Sequence, residues 1–176
     1  MKTIFTTLLW VCALLTHAYA TNDPCKEAHK MSCGDSHVGH THSGDSYFSN
    51  DSYGGHANGD SYSGTDKMYR ISKQSDGPLY VHMSTESPNL NIFLANECWD
   101  GVINCIAGGR TMSKGKYISE SNLPKGEYWV IVDSKNKGDG GDYTISMSCE
   151  KLTCSSAKKN RMRQNLLRRK QCQWSG

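Results

Sequence analysis

The sequence predicts an all-β protein, an antiparallel and jelly-roll-like β-sandwich. Between residues 67 and 149, short runs with alternating apolar residues recur, and turn-forming Gly, Pro, Asp and Asn separate them. Aromatic and β-branched residues favour strands, and several short strands at this spacing are typical of sandwiches. No convincing helical period lies between the runs.

The clearest strand covers residues 126–133, after a turn made by Pro124 and Gly126. Side chains alternate across a strand, which gives two faces. One face holds Tyr128, Val130 and Val132, and the other holds Trp129, Ile131 and Asp133. Both faces are largely apolar, so we predict a central strand rather than an edge strand.

Four further apolar runs are interpreted as strands, namely residues 68–71, 79–83, 90–94 and 143–147. Turn residues separate these runs at 76–78, 87–89, 108–109 and 138–141.

Residues 1–20 are typical of a secretory signal peptide. Lys2 supplies a positive start, residues 8–15 are apolar, and residues 18–20 form a small-x-small cleavage site. No apolar run reaches the roughly 20 residues that a membrane-spanning helix needs. We therefore expect a secreted, extracellular protein whose mature chain starts at Thr21 and has no transmembrane segment.

Residues 21–150 are expected to form one domain, which begins with Gly/Ser/His-rich loops at 33–66 and one weak strand around Tyr47 and Phe48. Three histidines in the loops, His37, His40 and His42, are candidate ligands for Zn²⁺ or Cu²⁺. A solvated loop or a pH-responsive surface is the alternative.

Two other polar motifs are candidate sites. Asn136, Asp139 and Asp142 could offer oxygen ligands to Ca²⁺, but a plain hairpin turn uses the same residue types and is favoured. Asn50 begins an Asn-Asp-Ser sequon, which matters only if the source is a eukaryote or shares its glycosylation pathway. The sequence requires no cofactor, and Zn²⁺ or Ca²⁺ binding is the option that remains.

Seven cysteines remain in the mature chain, and in an exported protein they indicate disulfides. We predict a local bridge between Cys98 and Cys105, which flank a short turn containing Gly101. A bridge from Cys154 to Cys172 is one option among several for the others. Because the number is odd, at least one thiol is free or pairs with another molecule.

Charge divides the mature chain at about residue 150. Residues 21–150 contain 11 basic and 17 acidic residues, whereas residues 151–176 contain 8 basic residues and no acidic one. The basic tail suits a short helix or a solvated end, and it would attract acidic polysaccharide, a membrane surface or mineral. Nucleic acid is not expected, because export removes the opportunity. The polyanion contact residues are Lys158, Lys159, Arg161, Arg163, Arg168, Arg169 and Lys170.

Four motifs, at residues 67–71, 90–94 followed by Cys98, 123–133 and 141–149, occur in an order that resembles the bacterial pre-peptidase C-terminal domain. The cysteine-bearing versions, framed by one Cys before the sheet and one after the last strand, are the most similar. The resemblance implies a non-catalytic jelly-roll-like sandwich associated with binding to collagen or polysaccharide. Where the family often carries an Asp pair, this chain has Asn89 and Asn91, so calcium binding does not follow from the resemblance.

No serine-hydrolase elbow, zinc-protease motif or phosphate-binding loop is present, and no enzyme is predicted. The leading hypothesis is a secreted sandwich that binds or builds extracellular material, such as polysaccharide, protein matrix or an acidic surface, and that can self-associate through opposite charges and a spare Cys. The alternative is a soluble module for metal ions or glycans, with Tyr47, Tyr53 and Tyr62 as a glycan platform.

Overall fold

The computed structural model describes residues 23–150, which contain ten strands and two short helices. In chain order the elements are α1 (Pro24–Glu27), β1 (His29–Met31), β2 (Ser36–His40), α2 (Asn50–Tyr53), β3 (Asp66–Lys73), β4 (Gly77–Thr85), β5 (Leu90–Trp99), β6 (Val102–Gly108), β7 (Arg110–Met112), β8 (Gly115–Leu123), β9 (Gly126–Ser134) and β10 (Asp142–Ser148). A 3₁₀ turn, Gly54–Ala57, follows α2.

The strands form two five-stranded sheets that face each other as a β-sandwich. The first sheet has the order β1-β3-β9-β5-β6 and the second has the order β2-β10-β4-β8-β7. All neighbouring strands are antiparallel except β1 and β3, which are parallel. The predicted all-β sandwich is confirmed.

Strand β9 lies at the centre of the first sheet, as its two apolar faces predict. Tyr128, Val130 and Val132 belong to the core between the two sheets, where they meet residues of the second sheet such as Ile145. Ile131, on the other face, belongs to a second core on the outside of the first sheet.

The second core is built by residues 45–62, which we call the cap segment. The ring of Tyr53 stacks on Phe93 of β5 with centroids 3.7 Å apart, and Tyr62 meets the same ring edge-on at 5.0 Å. Phe48 is buried beside them. Aromatic side chains bury enough apolar area to hold an otherwise polar segment on the sheet.

The prediction that residues 33–66 are loops with a weak strand around Tyr47 is wrong in two respects. The strand of this region is β2, ten residues earlier, and Phe48 instead lies in the buried cap segment. The prediction fails because a few aromatic side chains, spaced among Gly, Ser and Asp, are enough to bury the cap segment against the outer face of the first sheet.

Among the described residues, the disulfides join Cys25 to Cys98 and Cys33 to Cys149. The predicted bridge from Cys98 to Cys105 is therefore wrong. In the β5–β6 ladder Cys98 lies opposite Ile103, and Cys105 lies opposite Ala95, so the two cysteines are not cross-strand neighbours. Cys105 forms no disulfide within residues 23–150, and burial raises the pKa of its thiol to about 11. Its thiol therefore stays protonated at neutral pH and is a poor cross-linking group.

No helix within residues 23–150 is long and apolar enough to cross a membrane. The predicted signal peptide, the basic tail and the cysteines at 154 and 172 lie outside the described residues.

Candidate binding groove

A groove lies between the two sheets at the edge of the sandwich where β1 and β2 run. Its volume is ≈ 430 Å³, and its lining comes from α1, β1 and β3 on one side and from β2 and β10 on the other. Both β1 and β2 are edge strands. Because β1 has only three residues and the chain then crosses to the second sheet, the two sheets are left open along this edge.

The floor of the groove is a pair of tyrosines, one from each sheet. The hydroxyl groups of Tyr69 and Tyr143 are 2.8 Å apart and form a hydrogen bond. Burial raises the pKa of both, so both hydroxyls stay neutral. Gly39 of β2 lies directly above them, and a Cβ at this position would be 2.7 Å from either hydroxyl oxygen. Glycine at residue 39 therefore lets β2 pack closely over the two tyrosines, which are only 2% and 3% exposed.

Two histidines lie next to this floor, one from each side. The rings of His29 of β1 and His37 of β2 have centroids 4.2 Å apart, and each ring also meets Tyr69 edge-on. The pKa of His37 is lowered, first by burial and then by the charge of His29. A positive charge on His37 is therefore disfavoured in this position between β1 and β2.

We expect the pKa of His37 to lie below the usual range of histidine. Replacement of His29 by Gln should raise the pKa of His37 toward that range. A group whose pKa is lowered by folding binds fewer protons in the native state, so its contribution to stability is lost as pH falls through 6.5 toward the folded value. Side-chain NMR titration of His37 measures the shift directly. His56→Gln is the matched control, and a pKa of His37 that is equal in both variants would contradict the pairing.

The far end of the groove is rich in carboxylates. Glu27 and Asp45 line it, and the hydroxyl of Tyr47 donates a hydrogen bond of 2.8 Å to Asp45 Oδ2. This hydrogen bond, burial and the nearby charges of Asp45 and Glu27 raise the pKa of Tyr47. Lys67 is the one lysine or arginine that lines the groove among the residues described. We call this region, Glu27, Asp45 and Tyr47, the acidic end.

A buried pair of carboxyl groups anchors the cap segment beside the acidic end. Asp66 of β3 and Asp133 of β9 are cross-strand partners. Asp66 Oδ2 accepts the N–H groups of Tyr47 at 2.7 Å and Phe48 at 2.9 Å, and Asp133 Oδ2 accepts the Tyr53 hydroxyl at 2.7 Å. The Oδ1 atom of each carboxyl is buried and has no hydrogen-bond partner within residues 23–150.

Two negative charges cannot both be stable in this position. Burial raises the pKa of Asp66 and of Asp133, and the neighbouring Asp66 raises that of Asp133 further, to about 9. The pair therefore holds a proton at neutral pH, which supplies the missing donor between the two carboxyl groups. No sequence motif marked Asp66 and Asp133 as partners, since 67 residues separate them and only the β3–β9 register brings them together.

The three histidines predicted as metal ligands fall into two separate pairs. His37 contacts His29, whereas His40 and His42 stack with centroids 5.8 Å apart, and His42 Nε2 lies 3.2 Å from Asp142 Oδ1. Within residues 23–150, no three His, Cys, Asp or Glu side chains are grouped as a metal site requires. The predicted trio is thus not assembled, and zinc binding at His40 and His42 stays a prediction.

The polar turn before β10 has the geometry of an ordinary turn. Asn136 Nδ2 donates to Asp139 Oδ2 at 2.7 Å, and Asp142 is engaged with His42 instead of joining them. Calcium binding by these three residues stays a prediction.

The predicted glycan platform is wrong for two of its three tyrosines. Tyr53 and Tyr62 are buried in the cap segment, and Tyr47 alone is exposed. Asn50 of the sequon is exposed at the start of α2, and its Oδ1 accepts the N–H of Tyr62 at 2.6 Å. Glycosylation stays a prediction, as do the polyanion contacts of the basic tail, which lie outside the described residues.

No protein-family model and no curated protein matches the chain. Solved structures similar to it include the pre-peptidase C-terminal domain of collagenase from Bacillus anthracis, at 15% identity and a TM-score of 0.49 over 69% of this chain and 94% of that one. PliG of Aeromonas hydrophila, a periplasmic inhibitor of g-type lysozyme, has 12% identity and a TM-score of 0.41, and 70% of this chain covers 99% of it. The mitogen of Yersinia pseudotuberculosis has 10% identity and a TM-score of 0.41, with 69% of this chain and 90% of the mitogen covered.

One of these solved structures is a pre-peptidase C-terminal domain, the family that the sequence resembles. Identities of 15% or less transfer no ligand, so function is argued below from the residues of this chain.

Proposed function

We propose that the protein is a secreted, non-catalytic binding module that holds an extended segment of an extracellular protein in the groove beside β2. The observation that carries this proposal is the free edge of β2, which runs along the groove and leaves Val38 74% exposed. Two disulfides agree with an oxidising, extracellular compartment.

The edge of β2 lacks the usual protection against pairing with another chain. Soluble proteins commonly block such edges with Lys, Pro or a bulge. Strand β2 reads Ser-His-Val-Gly-His and pairs regularly with β10 on its other side. Its free backbone groups suit an added strand, and the exposed side chain of Val38 beside the groove offers apolar surface to alternate side chains of that strand.

The experiment compares Val38→Ser with Met112→Ser in the secreted protein. Both residues are exposed and apolar, and they lie on the two opposite edge strands of the second sheet. Binding is measured to immobilised collagen, chitin and a sulfated glycan. We expect saturable binding to collagen that Val38→Ser weakens about tenfold, because a newly buried valine contributes roughly 1.5 kcal/mol.

Met112→Ser should leave this affinity unchanged. An equal loss in both variants would contradict the assignment to β2. Saturable binding to chitin or the sulfated glycan, without binding to collagen, would contradict a protein ligand. Absence of binding to all three polymers would contradict the proposed function.

A further inference from the structure

We infer that, in the free protein, the basic C-terminal segment (residues 151–176) occupies the groove of its own chain. This inference rests on the proposed function, because the segment would compete with the extracellular polymer for the same surface. It concerns the regulation of the groove, and three observations carry it: where the segment begins, how far it reaches and how its charge matches the acidic end.

The segment begins beside one end of the groove. The disulfide from Cys33 to Cys149 fixes the end of the domain to the connection between β1 and β2. Two backbone hydrogen bonds support it, from Gly34 N to Met147 O at 2.9 Å and from Met147 N to Asp35 O at 3.0 Å. Residue 33 is four positions from His29 and four from His37, which is at most about 14 Å of extended chain.

The first basic cluster of the segment can reach the other end of the groove. Eight residues lead from Glu150 to Lys158, and they span up to about 28 Å when extended. The five residues of β2, which run along the groove, extend over only about 13 Å. Lys158 and Lys159 are therefore within reach of Glu27 and Asp45 without any change in the sandwich.

The charges of the two partners are opposite. The segment carries 8 basic residues and no acidic one, while residues 21–150 carry 17 acidic and 11 basic residues. At the acidic end, the carboxylates of Glu27 and Asp45 outnumber the one ammonium group of Lys67. The exposed ring of Tyr47 adds a face for a guanidinium or ammonium group.

Attachment to the same chain favours this occupant over a second copy. Attachment through a short link gives a binding segment an effective concentration of about millimolar, which a separate copy of the chain at micromolar concentration does not reach. The segment also contains Met162 and Leu166, whose apolar side chains suit the exposed Val38.

The test is zero-length carbodiimide cross-linking of the full mature chain, read by mass spectrometry on an equal mixture of ¹⁴N- and ¹⁵N-labelled protein. We expect amide cross-links from Lys158 or Lys159 to Glu27 or Asp45, formed within one isotopic species. Because exposed charges are screened within about 3 Å at 1 M salt, we expect these links to fall at least fivefold at that salt concentration.

Matched variants make the test specific. Glu27→Gln with Asp45→Asn removes two groove carboxylates, and the remaining tail cross-links should then fall to background. Glu97→Gln with Asp100→Asn removes two exposed carboxylates at the β5–β6 hairpin, and the links to Glu27 and Asp45 should persist. Links of mixed isotope, links spread over carboxylates outside the groove, or no links from Lys158 and Lys159 would each overturn the inference.

Cross-linking needs no polymer, so its result is independent of the polymer-binding assay. Substitution of Lys158, Lys159, Arg161 and Arg163 by Gln should tighten polymer binding severalfold if both proposals hold. Cross-links without polymer binding would refute the proposed function and leave the inference standing.

Discussion

Replacement of Asp133 by Asn is expected to stabilise the protein at neutral and alkaline pH. The amide of Asn supplies the N–H donor that the shared proton supplies in the Asp66–Asp133 pair, and its oxygen can still accept the Tyr53 hydroxyl. Unlike a carboxyl group, Asn needs no proton from solvent. We expect a gain on the order of 3 kcal/mol in the free energy of unfolding at pH 7.

The sign follows from the raised pKa of Asp133. Its folded value of about 9 lies above its ordinary value of 3.8, so the native state binds the extra proton throughout this interval. The contribution of this pair to stability is therefore greatest below pH ~4, and it falls by roughly 1.4 kcal/mol per pH unit up to pH ~9. Urea unfolding between pH 5 and 9 should show this slope in the native protein and a much smaller slope in Asp133→Asn.

Asp100→Asn is the control for this experiment, because Asp100 is exposed at the β5–β6 turn and Asn tolerates its left-handed backbone, with φ of 48°. Its slope should equal that of the native protein. If Asp133→Asn were less stable than the native protein throughout pH 5–9, the pair would not share a proton.

Replacement of Cys33 and Cys149 together by Ser should lower the free energy of unfolding by about 2–5 kcal/mol. The two cysteines are 116 positions apart, so the bridge closes a long loop and restricts the unfolded chain strongly. It also holds the crossing from β1 to β2 against the end of β10. Urea unfolding under non-reducing conditions measures the loss.

Cys105→Ser is the matched single-thiol control, since Cys105 has no disulfide partner among the described residues and is only partly buried. It should change the free energy of unfolding by about 1 kcal/mol or less. A loss in Cys105→Ser as large as that in the double variant would show that the bridge between Cys33 and Cys149 is not the source of the stability.

Much of the sandwich is readable from local patterns. Strand β9 lies between β3 and β5, and one of the two cores packs against each of its faces. Its sequence is therefore apolar at successive positions, which is why it can be recognised as a central strand. Strands β3, β4, β5 and β10 are predicted by short runs with alternating apolar residues between turn residues. Strand β7 was missed because all three of its residues are exposed, and β8 because only Ile118 is fully buried in it.

The groove depends on contacts that local patterns do not contain. The sequence shows that residues 29 and 37 are histidines, but it does not predict their contact. That contact arises because the chain crosses from the first sheet to the second between β1 and β2. The pairing of Tyr69 with Tyr143 depends on how the two sheets are stacked. The predicted disulfide is wrong for the same reason. Cys105 is close to Cys98 along the chain, but the β5–β6 register places Ile103 opposite Cys98, and the fold brings Cys25 of α1 to Cys98 instead.

Asp66 belongs to two parts of the molecule at once, because it lines the groove and its carboxyl holds the backbone of Tyr47 and Phe48. A ligand that changes the burial or the hydrogen bonds of Asp66 must also change the pKa of the Asp66–Asp133 pair. Binding and proton uptake or release are then thermodynamically linked. The measured heat of binding would vary with the ionisation enthalpy of the buffer, and its slope would count the protons exchanged.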